Sequence, residues 1–160
     1  MIHPKLSWND YFSGSPATTL SGQYNSRENP SGLSVYVSNC LFNTFTSGDT
    51  GGALYCTSAT SFLVESSSFF SCKTSGSGGA IYFENSGAQS VLYGLCGYDC
   101  CTTNSNSYQF AYIRVKSDIS SMNYVNYSSI VRCVNEFSSG SILCLSSGKN
   151  CCPSVNSSMN

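Results

Sequence analysis

VYVSNCLFNTFTSGDTGGALYC (Val35 to Cys56) and FLVESSSFFSCKTSGSGGAIYF (Phe62 to Phe83) superpose without a gap at an offset of 27 residues. Val35 falls on Phe62, Val37 on Val64, Phe42 on Phe69 and Leu54 on Ile81, and the pair Gly51-Gly52 falls on Gly78-Gly79. A repeat of this length is too short for a helical-hairpin unit and suits one coil of three short strands joined by turns. The unit is rich in β-branched and aromatic residues, Ser and paired Gly, and it has no apolar stripe at i, i+3, i+4, so helix is disfavoured. The expected fold is all-β: a right-handed parallel β-helix, a solenoid with about 27 residues per coil, partial or short.

Within a unit, the pattern predicts a first strand with Val35 and Val37, or Phe62 and Val64, pointing inward. A corner at Ser or Asn leads to a second short strand around Phe42 or Phe69. A polar loop (47 to 50, 75 to 77) then reaches the glycine pair and a third strand, ALYC or AIYF. Stacking like over like makes Val37 with Val64, Phe42 with Phe69, and Leu54 with Ile81 the interior ladders. Gly51, Gly52, Gly78 and Gly79 are structural candidates, because a sharp turn packed against its neighbours leaves no room for a Cβ. Cys56 falls on Phe83 and Cys72 on Phe45, so both are expected inside as small apolar residues. If Leu54 and Ile81 point inward, Tyr55 and Tyr82 point outward and form an aromatic face, a candidate binding platform.

Away from this pair the period loosens. Val64 plus 27 gives Val91, which places SVLYGLCGYDCC (90 to 101) as a further coil. SYQFAYIRV (107 to 115) reads as a third strand displaced by an enlarged loop at 102 to 107. One more coil is expected from NYVNYSSIVRC (123 to 133) through SGSILCL (139 to 145), with Ile130, Ile142 and Leu143 inward. Residues 1–33 carry Pro4, Pro16 and Pro30 and read as an irregular lead-in with room for one degenerate coil, leaving 34–160 for the β-helix coils. Trp8, Tyr11 and Phe12 are candidates to cover the open end.

The 160 residues suffice for one domain with a real core. Charged residues make up only 9%, so the solvated surface must be built from Ser, Asn, Thr and Gly. The net charge is -1 with the seven Lys and Arg scattered singly, which disfavours nucleic acid as a partner. No run of about 18 apolar residues occurs and MIHPKLSWNDYFSGS lacks the layout of a leader peptide, so neither a transmembrane segment nor an export signal is expected in this stretch.

Chemistry-bearing patterns are sparse. Asp49 would recur at Gly76, and Glu65 at Ser38 and Leu92, so no acidic ladder of the kind a polysaccharide-cleaving site needs is expected. His3 is the only histidine, GxSxG is absent, and no catalytic residue is assigned. The ten cysteines contain no CxxC, so no metal site and no cofactor is expected; the seven from Cys96 to Cys152 leave disulfides open in the second half. Asn126-Tyr-Ser128 and Asn156-Ser-Ser158 are sequons that would be glycosylated on export.

The repeated GGA(L/I)Y after a Phe-x-x segment resembles the repeats of chlamydial polymorphic outer-membrane proteins, and more closely the large trichomonad families of right-handed parallel β-helix surface proteins. CGYDC (96 to 100), YQFAYI (108 to 113), NYVNYSSIVRC (123 to 133) and CCPSVNSSMN (151 to 160) are similar to the trichomonad proteins in particular. The bacterial repeats pair their glycines with Phe-x-x-Asn, whereas here Phe42 leads to Phe45 and Phe69 to Cys72, so their processing and adhesion chemistry does not carry over by motif. The resemblance implies a pectin-lyase-like fold, a cell-surface or extracellular location, and a non-enzymatic, adhesin-type role toward a host or cell-surface protein or glycan. The alternatives are a degenerate polysaccharide lyase or hydrolase of the same fold, and a structural fragment of a longer surface protein.

Overall fold

The computed structural model describes residues 7–104, 107–135 and 140–158. Their structure is all-β, with parallel sheets and no α-helix. The strands in chain order begin with β1 (Thr18–Tyr24), β2 (Ser34–Ser47), β3 (Leu54–Cys56), β4 (Ser61–Glu65) and β5 (Ser68–Thr74). They continue with β6 (Ile81–Glu84), β7 (Gln89–Tyr93), β8 (Cys96–Tyr98), β9 (Cys101–Thr102) and β10 (Ala111–Arg114). The last five are β11 (Met122–Asn126), β12 (Ser129–Val131), β13 (Leu143–Ser146), β14 (Lys149–Cys151) and β15 (Asn156–Ser158).

Every pairing is parallel, and three ladders result. The first half of β2 continues through β4, β7, β11 and β14. Its second half continues through β5, β8, β12 and β15, and β3, β6, β10 and β13 form the third ladder. Val35 pairs with Phe62, Val37 with Val64, Phe42 with Phe69 and Leu54 with Ile81, and all eight side chains are fully buried in one core shared by the three ladders. Cys56 pairs with Phe83 and Cys72 with Phe45.

Each glycine of the pair answers a different demand. Gly51 and Gly78 sit at φ +68° and +71°, a left-handed conformation that other residues adopt at a cost. At the second position the limit is space: a Cβ on Gly52 would collide with the Gly79 carbonyl oxygen, and one on Gly79 with that of Gln109.

The register keeps the expected 27 through Phe83 and departs from it in the next strand, β7. Ser61 pairs with Gln89, so Val64 lies beside Leu92 rather than Val91, and Glu65 beside Tyr93 rather than Leu92. The extra residue is taken up in the turn where the Ala88 N–H donates to the Asn85 carbonyl. It places Ser90 next to Phe62 on the buried side, where its hydroxyl donates to Asn123 Oδ1 at 3.1 Å and the Asn123 amide donates to the Ser147 carbonyl at 3.1 Å. In the second ladder Gly97 follows Phe69. The ring stack Tyr24–Phe42–Phe69 therefore stops, and Phe110 fills the vacant place edge-on, 5.9 Å from Phe69 at 87°. The third ladder then resumes with Ala111 beside Ile81. Ile130 is fully buried, while Ile142 and Leu143 are half-buried against the same core. Residues 105 and 106 of the enlarged loop, and His3, Pro4 and Glu136, lie outside the described residues.

The lead-in is more ordered than its prolines suggest. β1 runs parallel to β2, with Thr18 opposite Val35 and Tyr24 opposite Phe42. Trp8, Tyr11 and Phe12 do not close an end of the core. A short 3₁₀ turn (Trp8–Asp10) is held by the Asp10 carboxylate, which accepts from the Ser7 N–H and hydroxyl. It lays Trp8 and Phe12 across the outward face of the first ladder, on Leu63, Val91 and Tyr93. That cover explains why β4 is buried on both faces from Phe62 to Glu65, where strand alternation alone would leave every second residue in water.

Candidate functional site: a tyrosine row on the third ladder

Leu54, Ile81, Ala111 and their i+2 neighbours point into the core, so the residues between them point out. The parallel register aligns Tyr55, Tyr82 and Tyr112 side by side. Tyr55 and Tyr82 stack with centroids 5.5 Å apart at 15°, and Tyr82 and Tyr112 at 5.0 Å and 17°. Both ends of the row are closed. The Arg27 guanidinium carbon lies 4.9 Å from the Tyr55 ring centroid, and its Nη1 donates to Ser47 Oγ and the Thr50 carbonyl at 3.0 Å each. Tyr108 packs on Tyr112 at 5.3 Å and 33°.

This arrangement fixes what the row presents. Stacked rings cover one another's faces, so the half-exposed rings offer edges and phenol groups to solvent, not open π-faces. A second outward column holds Glu84 and Arg114, paired at 2.9 Å, and the Tyr82 hydroxyl donates to Glu84 Oε2. Burial and the acceptor Glu84 together push the Tyr82 phenol up, so it stays a neutral hydrogen-bond donor across the physiological range. The Cys144 thiol neighbours Tyr112 in register and hydrogen-bonds with Tyr108; that contact raises the Tyr108 phenol, and burial raises the Cys144 thiol.

Tyr55 and Tyr82, which the repeat puts together on this face, are in contact. Tyr112 does not follow from the 27-residue period, because a three-residue slip puts it at 82 + 30, and Arg27 comes from the lead-in, outside the repeat. AYIR against AIYF was the available signal: both are strands with one outward Tyr.

The described acidic groups are engaged separately. Glu65 is fully buried under the N-terminal turn; its Oε1 accepts from Tyr36 Oη at 2.6 Å and Ser38 Oγ at 2.7 Å, and its Oε2 has no protein partner. Asp99 pairs with Lys73 at 3.7 Å and Asp118 with Lys116 at 3.3 Å. Among the described residues no group of three or more His, Cys, Asp or Glu side chains is placed to hold a metal ion. All ten cysteines are unbridged.

The two sequons differ. Asn156 is exposed on the outermost strand β15. Asn126 lies beneath the N-terminal segment, where its side chain hydrogen-bonds with the Tyr11 hydroxyl and its Oδ1 is buried without a partner. No described helix is long and apolar enough to cross a membrane. The chain matches no family model, no curated protein and no solved structure.

Proposed function

We propose that this chain is a right-handed parallel β-helix whose outer faces bind, without catalysis, a protein or glycan at a cell surface. The solenoid reading is supported by three parallel ladders that share one core, with the chain passing through them in the same order each time. The surface location rests on the resemblance to trichomonad proteins and on the exposed sequon at Asn156.

The observation that carries the binding role is the row Tyr55–Tyr82–Tyr112, flanked by Arg27, Glu84 and Arg114. Edge-on phenols and a fixed ion pair suit hydrogen bonding to a protein partner better than stacking on a sugar ring. Large aromatic and Arg side chains held rigid by their neighbours lose little entropy on docking, which is what a binding hot spot requires.

The test is the double variant Tyr55→Ala with Tyr82→Ala, assayed for attachment to host cells. Retained β-type circular dichroism is expected, with attachment lowered about tenfold, a weakening of about 1.4 kcal/mol. Unchanged attachment would remove the row from the binding surface. Release of reducing or unsaturated ends from polygalacturonate by the wild-type protein would overturn the non-enzymatic reading.

A further inference from the structure

A second outward face, that of the second ladder, has a different chemistry. Phe42 and Phe69 point inward, so Asn43 and Phe70 point outward, and the register continues the column to Tyr98 and Val131. The neighbouring column is Leu41, Ser68, Cys96 and Ser129. Neither column contains a charged residue.

Its rings are arranged unlike those of the tyrosine row. Phe70 and Tyr98 lie 6.5 Å apart at 51°, too far and too tilted to cover each other, and Tyr98 is 40% exposed. Arg132 lies 5.7 Å over the Tyr98 ring and covers one of its faces by a cation–π contact, which fixes the ring and leaves its other face for an occupant. At the other end of the column is a cavity of about 330 Å³, lined by Gln23, Tyr24, Asn25, Leu41 and Asn43. Three of these five bear side-chain amides, a group that donates and accepts at once; Asn43 Oδ1 accepts from the Thr44 hydroxyl at 2.8 Å, which orients its amide N–H groups.

We infer that this strip, from the amide-lined cavity through Asn43 and Phe70 to Tyr98, binds an uncharged oligosaccharide chain. Amides match the paired donor and acceptor character of adjacent sugar hydroxyls, and tilted, exposed rings receive the apolar C–H face of a pyranose. An acidic glycan or a nucleic acid would call for a row of cations, and neither column supplies one. Asn43 and Tyr98 are separated by two strand spacings, about 10 Å, which is roughly the length of a disaccharide. The inference rests on the binding role proposed above and assigns the glycan to this face, leaving the tyrosine row to a protein partner.

The experiment is calorimetric titration of the whole chain with cellohexaose, maltohexaose and N-acetylated chitohexaose, with oligogalacturonate as the charged control. At least one neutral hexaose is expected to bind saturably. Tyr98→Ala and Asn43→Ala should each weaken it about tenfold, with circular dichroism unchanged, while Tyr55→Ala with Tyr82→Ala leaves it within about twofold. No saturable binding up to about 10 mM of any neutral hexaose, tighter binding of oligogalacturonate, or wild-type affinity in both strip variants would each overturn the assignment. If the strip variants are silent while the tyrosine-row variant lowers cell attachment, the glycan strip fails and the binding role stands; if both are silent, both fail.

Discussion

The Cys100 sulfur accepts the backbone N–H of Cys72 at 3.4 Å, and its own hydrogen is shared between the Phe69 and Tyr98 carbonyls at 3.3 and 3.4 Å. Cys133 repeats the arrangement one strand further on, accepting from the Cys100 N–H and donating to the Val131 carbonyl, each at 3.4 Å. Both bonds fall just after a left-handed residue, Ser71 at φ +48° and Asp99 at +54°, where the bend takes the N–H out of the strand ladder. The corner between the first and second ladders solves the same problem with hydroxyls. Ser67 Oγ accepts from Cys40 N at 3.1 Å, and Ser128 Oγ from Leu95 N at 3.2 Å. Thiol and hydroxyl thus do one job: they satisfy a buried N–H that the bend would orphan.

Cys100→Ser should therefore be milder than Cys100→Ala. The serine keeps an acceptor for the Cys72 N–H, whereas the alanine leaves it unpaired in a fully buried site at a cost of roughly 1–3 kcal/mol. Urea denaturation of both variants decides the matter; equal losses would show that the sulfur serves only as apolar filling.

The buried thiols also set a direction for pH dependence. Burial pushes Cys40 up to about 11 and Cys100 further, and Cys133 is raised first by its bond with Cys100 and then by burial. In the unfolded chain these thiols ionise near pH 8.5. Above that value the unfolded state binds fewer protons than the folded one, so stability falls as pH rises, by up to about 1.4 kcal/mol per pH unit for each such thiol. Denaturation midpoints at about pH 7.5, 8.2 and 8.9, where the phenols of the unfolded chain are still almost wholly protonated, should decline, and more shallowly in a Cys40→Ser variant. A flat profile would mean that the thiols are solvated in the folded state.

Gly79→Val should cost far more than Ser86→Val. The first puts a branched side chain onto the Gln109 carbonyl and the Cys101 backbone; the second alters an exposed turn residue. Thermal melts of the two are the comparison, and equal tolerance would mean that the strands can separate there without loss.

What the sequence made legible was governed by repetition. The ungapped pair named the eight buried residues of the interior pairs, the glycine roles and the Tyr55–Tyr82 contact, because parallel in-register pairing converts a sequence offset directly into spatial neighbours. Val91 was misplaced by a single inserted residue, and one step suffices to swap the inward and outward faces of a strand. Trp8 and Phe12 could not be placed, since their partners Leu63, Val91 and Tyr93 are fixed by tertiary packing with no local pattern to announce it. Arg27 and Tyr112 escaped for related reasons: one lies outside the repeat and the other beyond its slip.

The Gly97 gap and the Phe110 ring that fills it bear on how such a molecule can grow. A copy of residues 35–83 spliced in ahead of Gly97 would meet phenylalanine with phenylalanine and extend the ring stack. Spliced in just beyond it, the copy would set a phenylalanine where Ile130 now pairs with Gly97, and the Phe110 ring, which leaves no room for even a methyl group on Gly97, would still separate it from Phe69. Internal duplication ahead of this point thus lengthens one ring stack, whereas duplication beyond it begins a second, and one absent side chain divides the two.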